Sequence, residues 1–349
     1  MSRAADSDAR RLATWVTWLL DNGPVELSPL TGDGGSRRYF RVTGRGLLAL
    51  HGSDQAENLA WLRIGRHLWY KGLALPRIHD YNLGHGFFLL EDLGDVHLAD
   101  PPDHSALFPE AVELLARLHR EGLEGFNQDW CHQTRAYDRT MIAEQEVGYF
   151  LQSLLLDYLA WPDLPRGIKA EANLLARMAA PRSEERVLMH RDYQGRNLMV
   201  KPAADDQGDQ KAGAPRTRQQ SRIFFIDWQG ARPGPAAYDL VSLLEETPYV
   251  PLTEEFKEEL IKIYLNARGR GPWQKSFREE MIILSAPRLM QALGAYAKLT
   301  LAGKNKFAGF MWPVAERLRG ILSHPLLASS CPLLRAAAAE AAAQLKAKQ

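Results

Sequence analysis

Three short apolar runs constrain this chain more than any other feature in it. Val187-Leu-Met189 leads into His190-Arg-Asp-Tyr-Gln-Gly-Arg-Asn197, and Leu198-Met-Val200 resumes directly after. Downstream, Ile223-Phe-Phe-Ile226 ends on Asp227. Short apolar runs bounded by polar turns read as buried strands. The pattern therefore predicts a polar loop held between two buried strands, with a carboxylate just past a third. A plain hairpin with a polar turn is the simplest alternative.

The side chains gathered there form a chemical set. His190, Asp192 and Asn197 fit H-x-D-x-x-x-x-N, the catalytic-loop spacing of enzymes that move a phosphoryl group from ATP to a hydroxyl. That reaction needs a carboxylate to orient the hydroxyl and take its proton, a role that fits Asp192. It also needs oxygen ligands that hold Mg²⁺ against the phosphates, and Asn197 with Asp227 supply them. The expected cofactors are ATP and Mg²⁺. The spacing alone is weak; followed by a strand and Asp227 it is specific.

Elsewhere the chain reads as a small strand-rich part followed by a larger helical one. An amphipathic helix around residues 13–20 should pack on the first part. Strands are expected near 27–30, 38–42, 46–50, 77–81 and 86–90, and a helix over 55–70. Residues 31–36, Thr-Gly-Asp-Gly-Gly-Ser, form a turn with freedom for positive φ. Helices are expected at 110–120, 137–159, 171–178, 253–266 and 276–302. His119, on the apolar face of the first of these, reads as a packed histidine. Residues 202–221 carry no aliphatic side chain larger than alanine and read as a flexible insert. The alanine-rich end, 336–349, reads as a frayed surface helix.

Composition excludes some functions. A formal net charge of +1 gives no basis for a nucleic-acid partner, and no apolar run is long enough to span a bilayer. The two cysteines, Cys131 and Cys331, are far apart and suit a reducing cytoplasm. Nothing in the pattern fixes an oligomeric state.

Four stretches resemble the aminoglycoside phosphotransferase/choline kinase superfamily, which shares the protein-kinase fold. They are Gly32-Asp-Gly-Gly-Ser-Arg-Arg-Tyr-Phe-Arg41, Leu89-Leu-Glu-Asp-Leu-Gly-Asp95, His190 to Asn197, and Ile226 to Leu244. Within it the chain is most similar to the bacterial branch that phosphorylates the anomeric hydroxyl of N-acetylmuramate and N-acetylglucosamine in cell-wall recycling. The resemblance implies an α+β, two-lobed fold. An N-terminal nucleotide-binding lobe would span 1–91 and carry an antiparallel sheet. A mostly helical catalytic and substrate lobe would span 92–335, before a helical tail at 336–349. It implies that Ser36, Arg37 and Arg38 lie over the nucleotide phosphates, and that Glu91 and Leu93 form the hinge that reads adenine. His190 and Asp239 would support the catalytic loop, Asp239 from below. Glu146 and Arg288 would line the acceptor site for a small sugar.

Departures from the pattern are specific. Many kinases carry a third-strand lysine on the phosphates, paired with a helix glutamate; here Leu50-His51 stands in that region, and the first lysine is Lys71. Arg37, Arg38 and Arg41 are the candidate replacements, with Glu57 to orient one. Gln194-Gly195 stands where the amino-sugar branch has His-Ser, and of its basic helix stretch Pro287-Arg-Leu-Met-Gln291 keeps only Arg288. Residues 276–319 carry more Lys and Arg than Asp and Glu, an excess that suits a neutral or anionic acceptor. An aminoglycoside, choline or homoserine kinase, or a kinase-shaped binding protein, remains an alternative.

Overall fold

The structure, a computed structural model, describes residues 3–21, 23–30, 37–100, 105–180, 186–201, 221–245 and 251–348. The glycine turn at 31–36, with Ser36, and residues 202–220 of the insert lie outside them.

Five antiparallel strands make the N-terminal sheet: β1 (Leu27–Pro29), β2 (Arg37–Val42), β3 (Leu47–Gly52), β4 (Ile78–Asn82) and β5 (Phe87–Glu91), in the order β1-β2-β3-β5-β4. Side chains alternate between its two faces. Phe40, Val42, Ala49, Phe87 and Leu89 turn to one face, where α1 (Arg3–Leu20) buries Leu12 and Val16 against them. The first helix is thus the amphipathic element its sequence predicts. Leu50, Phe88 and Leu90 turn to the other face and join the core of α2 (Gln55–Tyr70), where Trp61 meets Phe88 edge-on at 5.1 Å. Asp54 caps α2 by accepting the Glu57 N–H at 2.9 Å, satisfying one of the free donors of the first turn.

The second lobe is helical: α3 (Phe108–Glu121), α4 (Arg139–Met141), α5 (Ile168–Ala179), α6 (Ala236–Leu244), α7 (Glu254–Arg268), α8 (Phe277–Leu301), α9 (Ala308–Leu322), α10 (Pro325–Ala328) and α11 (Pro332–Ala347). Two expectations change here. After α4 the chain winds as π-helix through Ile142–Val147 and Phe150–Tyr158, a widening that apolar periodicity does not reveal. The alanine-rich end is no frayed surface helix. Ala337, Ala338, Ala341, Ala342 and Leu345 are buried, because their small side chains let α11 approach α9 and α5. Glu171 of α5 caps α11 by accepting the Leu333 and Leu334 N–H groups at 2.8 and 2.9 Å.

Two short ribbons hold the polar loop. β6 (Arg186–Met189) pairs with β9 (Arg232–Pro235), and β7 (Leu198–Val200) with β8 (Ile223–Phe225), Leu198 facing Phe225. Residues 190–197 therefore run from one ribbon to the other, and Asp227 lies on the return between them. Glu110 of α3 closes the base of the insert, accepting the Arg222 and Ile223 N–H groups at 2.6 and 3.1 Å.

Candidate active site

Asp239, in the first turn of α6, is fully buried beneath the loop. Its Oδ2 accepts the His190 N–H at 2.6 Å and its Oδ1 the Arg191 N–H at 2.8 Å. His119 Nε2 donates to the same Oδ2 at 2.9 Å, and the Tyr264 hydroxyl donates to His119 Nδ1 at 2.7 Å. Burial lowers the His119 pKa, which fits this neutral, doubly bonded ring. The grip on the loop has a use: Arg191 sits at φ +79°, a left-handed conformation that costs a non-glycine residue about 1–2 kcal/mol. The expectation of Asp239 beneath the loop and of His119 as a packed histidine does not bring the two together; the fold does.

A second set of bonds ties the loop to the strand that carries Asp227. His190, buried and with its pKa lowered by that burial, places Nε2 2.9 Å from the Ile226 carbonyl. The Ile226 N–H donates to the Asn197 carbonyl at 2.9 Å, and Asn197 Nδ2 donates to the Asp192 carbonyl at 2.9 Å. A carbonyl can only accept, so the last bond fixes the Asn197 amide and leaves its oxygen as the end free to meet a cation.

Asp227 has φ +65°. Burial pushes its carboxyl up, the Arg37 guanidinium pulls it down, and the nearby Asp192 carboxylate raises it again. Two carboxylates crowded in a partly dry site favour a cation between or beside them. Among the described residues no three His, Cys, Asp or Glu side chains gather as a metal cluster. Asn197 and Asp227 offer two hard oxygen ligands, and Mg²⁺ commonly takes one or two carboxylates from a protein and completes its shell with phosphates and water. The residues present fit that ion. When bound, Mg²⁺ would neutralise phosphate oxygens and polarise the group to be transferred.

The other expected residues fall in different places. Arg37 of β2 is buried, with Nη2 3.3 Å from Glu57 Oε1. Arg38 turns to the α1 face, where Nη2 lies 3.0 Å from Asp8 and 2.9 Å from His51 Nδ1. That moves it away from the cleft, because neighbouring strand residues face opposite sides. Arg41 is held elsewhere: it binds Asp92 at 2.6 Å and Asp95 at 2.7 Å, in the segment expected as the hinge. Gly94 turns that hinge at φ +87°. Glu91 accepts from Lys201 at 2.9 Å and from the Arg77 N–H at 3.1 Å, and Leu93 is buried beside it.

Of Glu146 and Arg288, Arg288 reaches the loop directly, through Gln194. Glu146 has no exposed surface and accepts the hydroxyls of Tyr137 at 2.6 Å and Tyr238 at 2.8 Å. Burial raises its pKa, against the pull of Arg191, the two tyrosines and Arg288. Arg288 donates to Ser242 Oγ at 2.7 Å, to Gln291 Oε1 at 2.9 Å and to Gln194 Oε1 at 3.4 Å, joining α8 and α6 to the loop. The tyrosines were not singled out in the sequence; an aromatic in an apolar segment signals packing first. The positive excess over 276–319 is met only in part from outside the stretch, since Arg278 pairs with Glu258 and Arg317 with Glu245, while Arg319 pairs with Glu316 within it.

A two-lobed fold with this loop, this following carboxylate and this hinge defines a phosphotransferase of the protein-kinase-like class. The chain belongs to the phosphotransferase enzyme family, whose model matches residues 26–212. It is 26% identical over 306 residues to the N-acetylmuramate/N-acetylglucosamine kinase of Pseudomonas aeruginosa, covering 82% of this chain and 80% of that one. It is 24% identical over 314 residues to the kinase of the same name from Neisseria meningitidis serogroup B, covering 85% and 86%. Among solved structures it is similar to a choline/ethanolamine kinase family protein from Mesorhizobium loti. That match has a TM-score of 0.58 and 16% identity, and covers 95% of this chain and 99% of the other. No helix among the described residues is long and apolar enough to cross a membrane.

Proposed function

We propose that the protein transfers the γ-phosphoryl group of ATP to the anomeric hydroxyl of N-acetylmuramate or N-acetylglucosamine, in cytoplasmic recycling of cell-wall sugars. The observation that carries the kinase part is the stitching of Asp192, Asn197 and Asp227 into one site through Ile226. The sugar part rests on the likeness to two kinases of that name over most of both chains.

Asp192 orients the acceptor hydroxyl and takes its proton as the new O–P bond forms. The bond from the γ-phosphorus to the bridging oxygen breaks, and ADP leaves with its electron pair. Asn197 and Asp227 hold Mg²⁺. Arg37, with Ser36 from the glycine turn, meets the phosphates, and Glu91 and Leu93 border the adenine. Arg38 faces α1 and binds Asp8 instead. Glu146 and Arg288 set the floor of the acceptor site through the tyrosines and Gln194, not by touching the sugar.

The test is ADP release against N-acetylmuramate, N-acetylglucosamine, other hexoses, choline and kanamycin, with the product identified. A sugar 1-phosphate is expected. Turnover of kanamycin or choline with neither amino sugar used would replace the acceptor, and ADP release at background with every acceptor would leave a binding protein.

A further inference from the structure

The catalytic site lacks the third-strand lysine that many kinases set against the nucleotide phosphates. The fold explains why β3 cannot supply a substitute. Its Leu50 faces the core shared with α2, while His51 faces α1 and stands 3.8 Å from Asp8. The positive charge on the cleft side comes from the neighbouring strand. Arg37 of β2 pairs in register with Gly52 of β3, over which the Asn58 side chain packs.

Arg37 has the marks of a guanidinium built for an anion that is not a protein group. Its side chain is only 4% exposed. Its Nε and Nη2 are buried and make no hydrogen bond among the described residues. Glu57 is close enough to balance charge, at 3.3 Å from Nη2, but does not align as an acceptor. Leaving buried donors of a charged group unmet costs about 1–3 kcal/mol or more, so the arrangement is poor as a structural ion pair and good as an open fork. The guanidinium lies 5.6 Å from the centre of the Trp61 ring, which stacks at 4.7 Å on Trp228, the residue after Asp227. The Trp228 indole N–H also donates to the Trp61 carbonyl at 2.8 Å. A rigid stack therefore joins the guanidinium to the segment that carries the metal-holding carboxylate. His132, which feels the charges of Glu57, Arg232, Asp54 and Arg37, likewise has its Nδ1 buried and without a hydrogen bond among the described residues.

We propose that Arg37 of β2 is the cation that grips the nucleotide phosphates in this protein, its charge balanced by Glu57, in place of a third-strand lysine. The inference deepens the kinase reading and rests on it. An arginine presents a planar pair of N–H donors that matches two phosphate oxygens, where a lysine offers a point charge. The charge has moved one strand over, while the helix glutamate that balances it has kept its place.

The test is calorimetric binding of ATP, ADP and adenosine, with Mg²⁺ present, to the wild type and to Arg37→Met, Arg37→Lys and Glu57→Gln. Adenosine carries the base and no phosphate, so it reports whether the fold and the adenine site survive. Arg37→Met is expected to weaken ATP and ADP by about 10- to 100-fold, the loss of one or two charge-assisted hydrogen bonds, and to leave adenosine unchanged. Arg37→Lys should recover part of the loss, and Glu57→Gln should weaken ATP less than Arg37→Met does. In turnover, KM for ATP should rise while KM for the acceptor holds. Equal weakening of adenosine and ATP would make Arg37 a structural residue, and unchanged ATP binding would make it a bystander; either overturns the proposal. A wild type that binds neither ATP nor adenosine would instead bring down the kinase reading itself, and this proposal with it.

Discussion

Asp239→Asn is the sharpest probe of how the catalytic loop is held. The carboxylate accepts three hydrogen bonds, from the His190 and Arg191 N–H groups and from His119 Nε2. An amide of the same shape has one acceptor end. If its oxygen takes the Oδ2 place, the Arg191 N–H faces an NH₂ group and is left buried without a partner, at about 1–3 kcal/mol. The two surviving bonds also fall from charged to neutral strength, about 1 kcal/mol each. The sum is a loss of about 3–5 kcal/mol in stability. Urea unfolding at pH 7 should show it as a lower midpoint at unchanged slope. Activity should fall with it, because Arg191 would be free to leave φ +79° and Asp192 would move. A variant with wild-type stability and a large fall in kcat would refute the reasoning, since Asp239 would then act on the chemistry instead of on the backbone.

Asp192→Asn should behave in the opposite way, keeping stability and ATP binding while turnover drops by about 10²- to 10⁴-fold; near-normal turnover would remove Asp192 as the base. Asn197→Ala should raise the Mg²⁺ concentration needed for half-maximal rate, and Asp227→Ala should abolish activity with no rescue by added Mg²⁺; wild-type Mg²⁺ dependence in both would put the metal elsewhere. Gly65→Ala would set a methyl group 2.7–2.9 Å from the Trp228 indole, and thermal or urea unfolding should report a loss of about 1–3 kcal/mol from overpacking. Burial alone would raise the Glu245 carboxyl, but Arg317 and Lys257 hold it below its usual range. Its stabilising effect is therefore present above the unfolded value of about 4.3 and fades as pH falls through the lower folded value. The stability gap between wild type and Glu245→Gln should be open at pH 7 and close in acid; a gap independent of pH would mean the pair contributes through packing alone.

Much of the site was legible because its chemistry is local. Asp192 and Asn197 lie on one short loop, and Asp227 ends the next apolar run, so spacing along the chain already set them on one ribbon system. Strand alternation also sorted the first sheet and gave α1 its place. Arg37, Arg38 and Arg41 show where this stops. All three lie on one six-residue strand and carry the same charge, and they end in three environments: the cleft, the α1 face and the hinge.

By itself, then, the sequence determined the order of the elements, strand-rich before helical, and the inventory of reactive groups, since periodicity and motif spacing act over a few residues; the two-lobed architecture was implied by the family resemblance. Only the tertiary structure decided which groups meet. His119 reaches Asp239 across 120 positions, Tyr238 reaches Glu146 across 92, and Arg288 reaches Gln194 across 94. Burial decided the rest: a carboxylate such as Glu146, or a guanidinium such as Arg37, takes its partners and its role from the water it has lost. The packing of distant helices and strands sets that loss, and no local pattern records it.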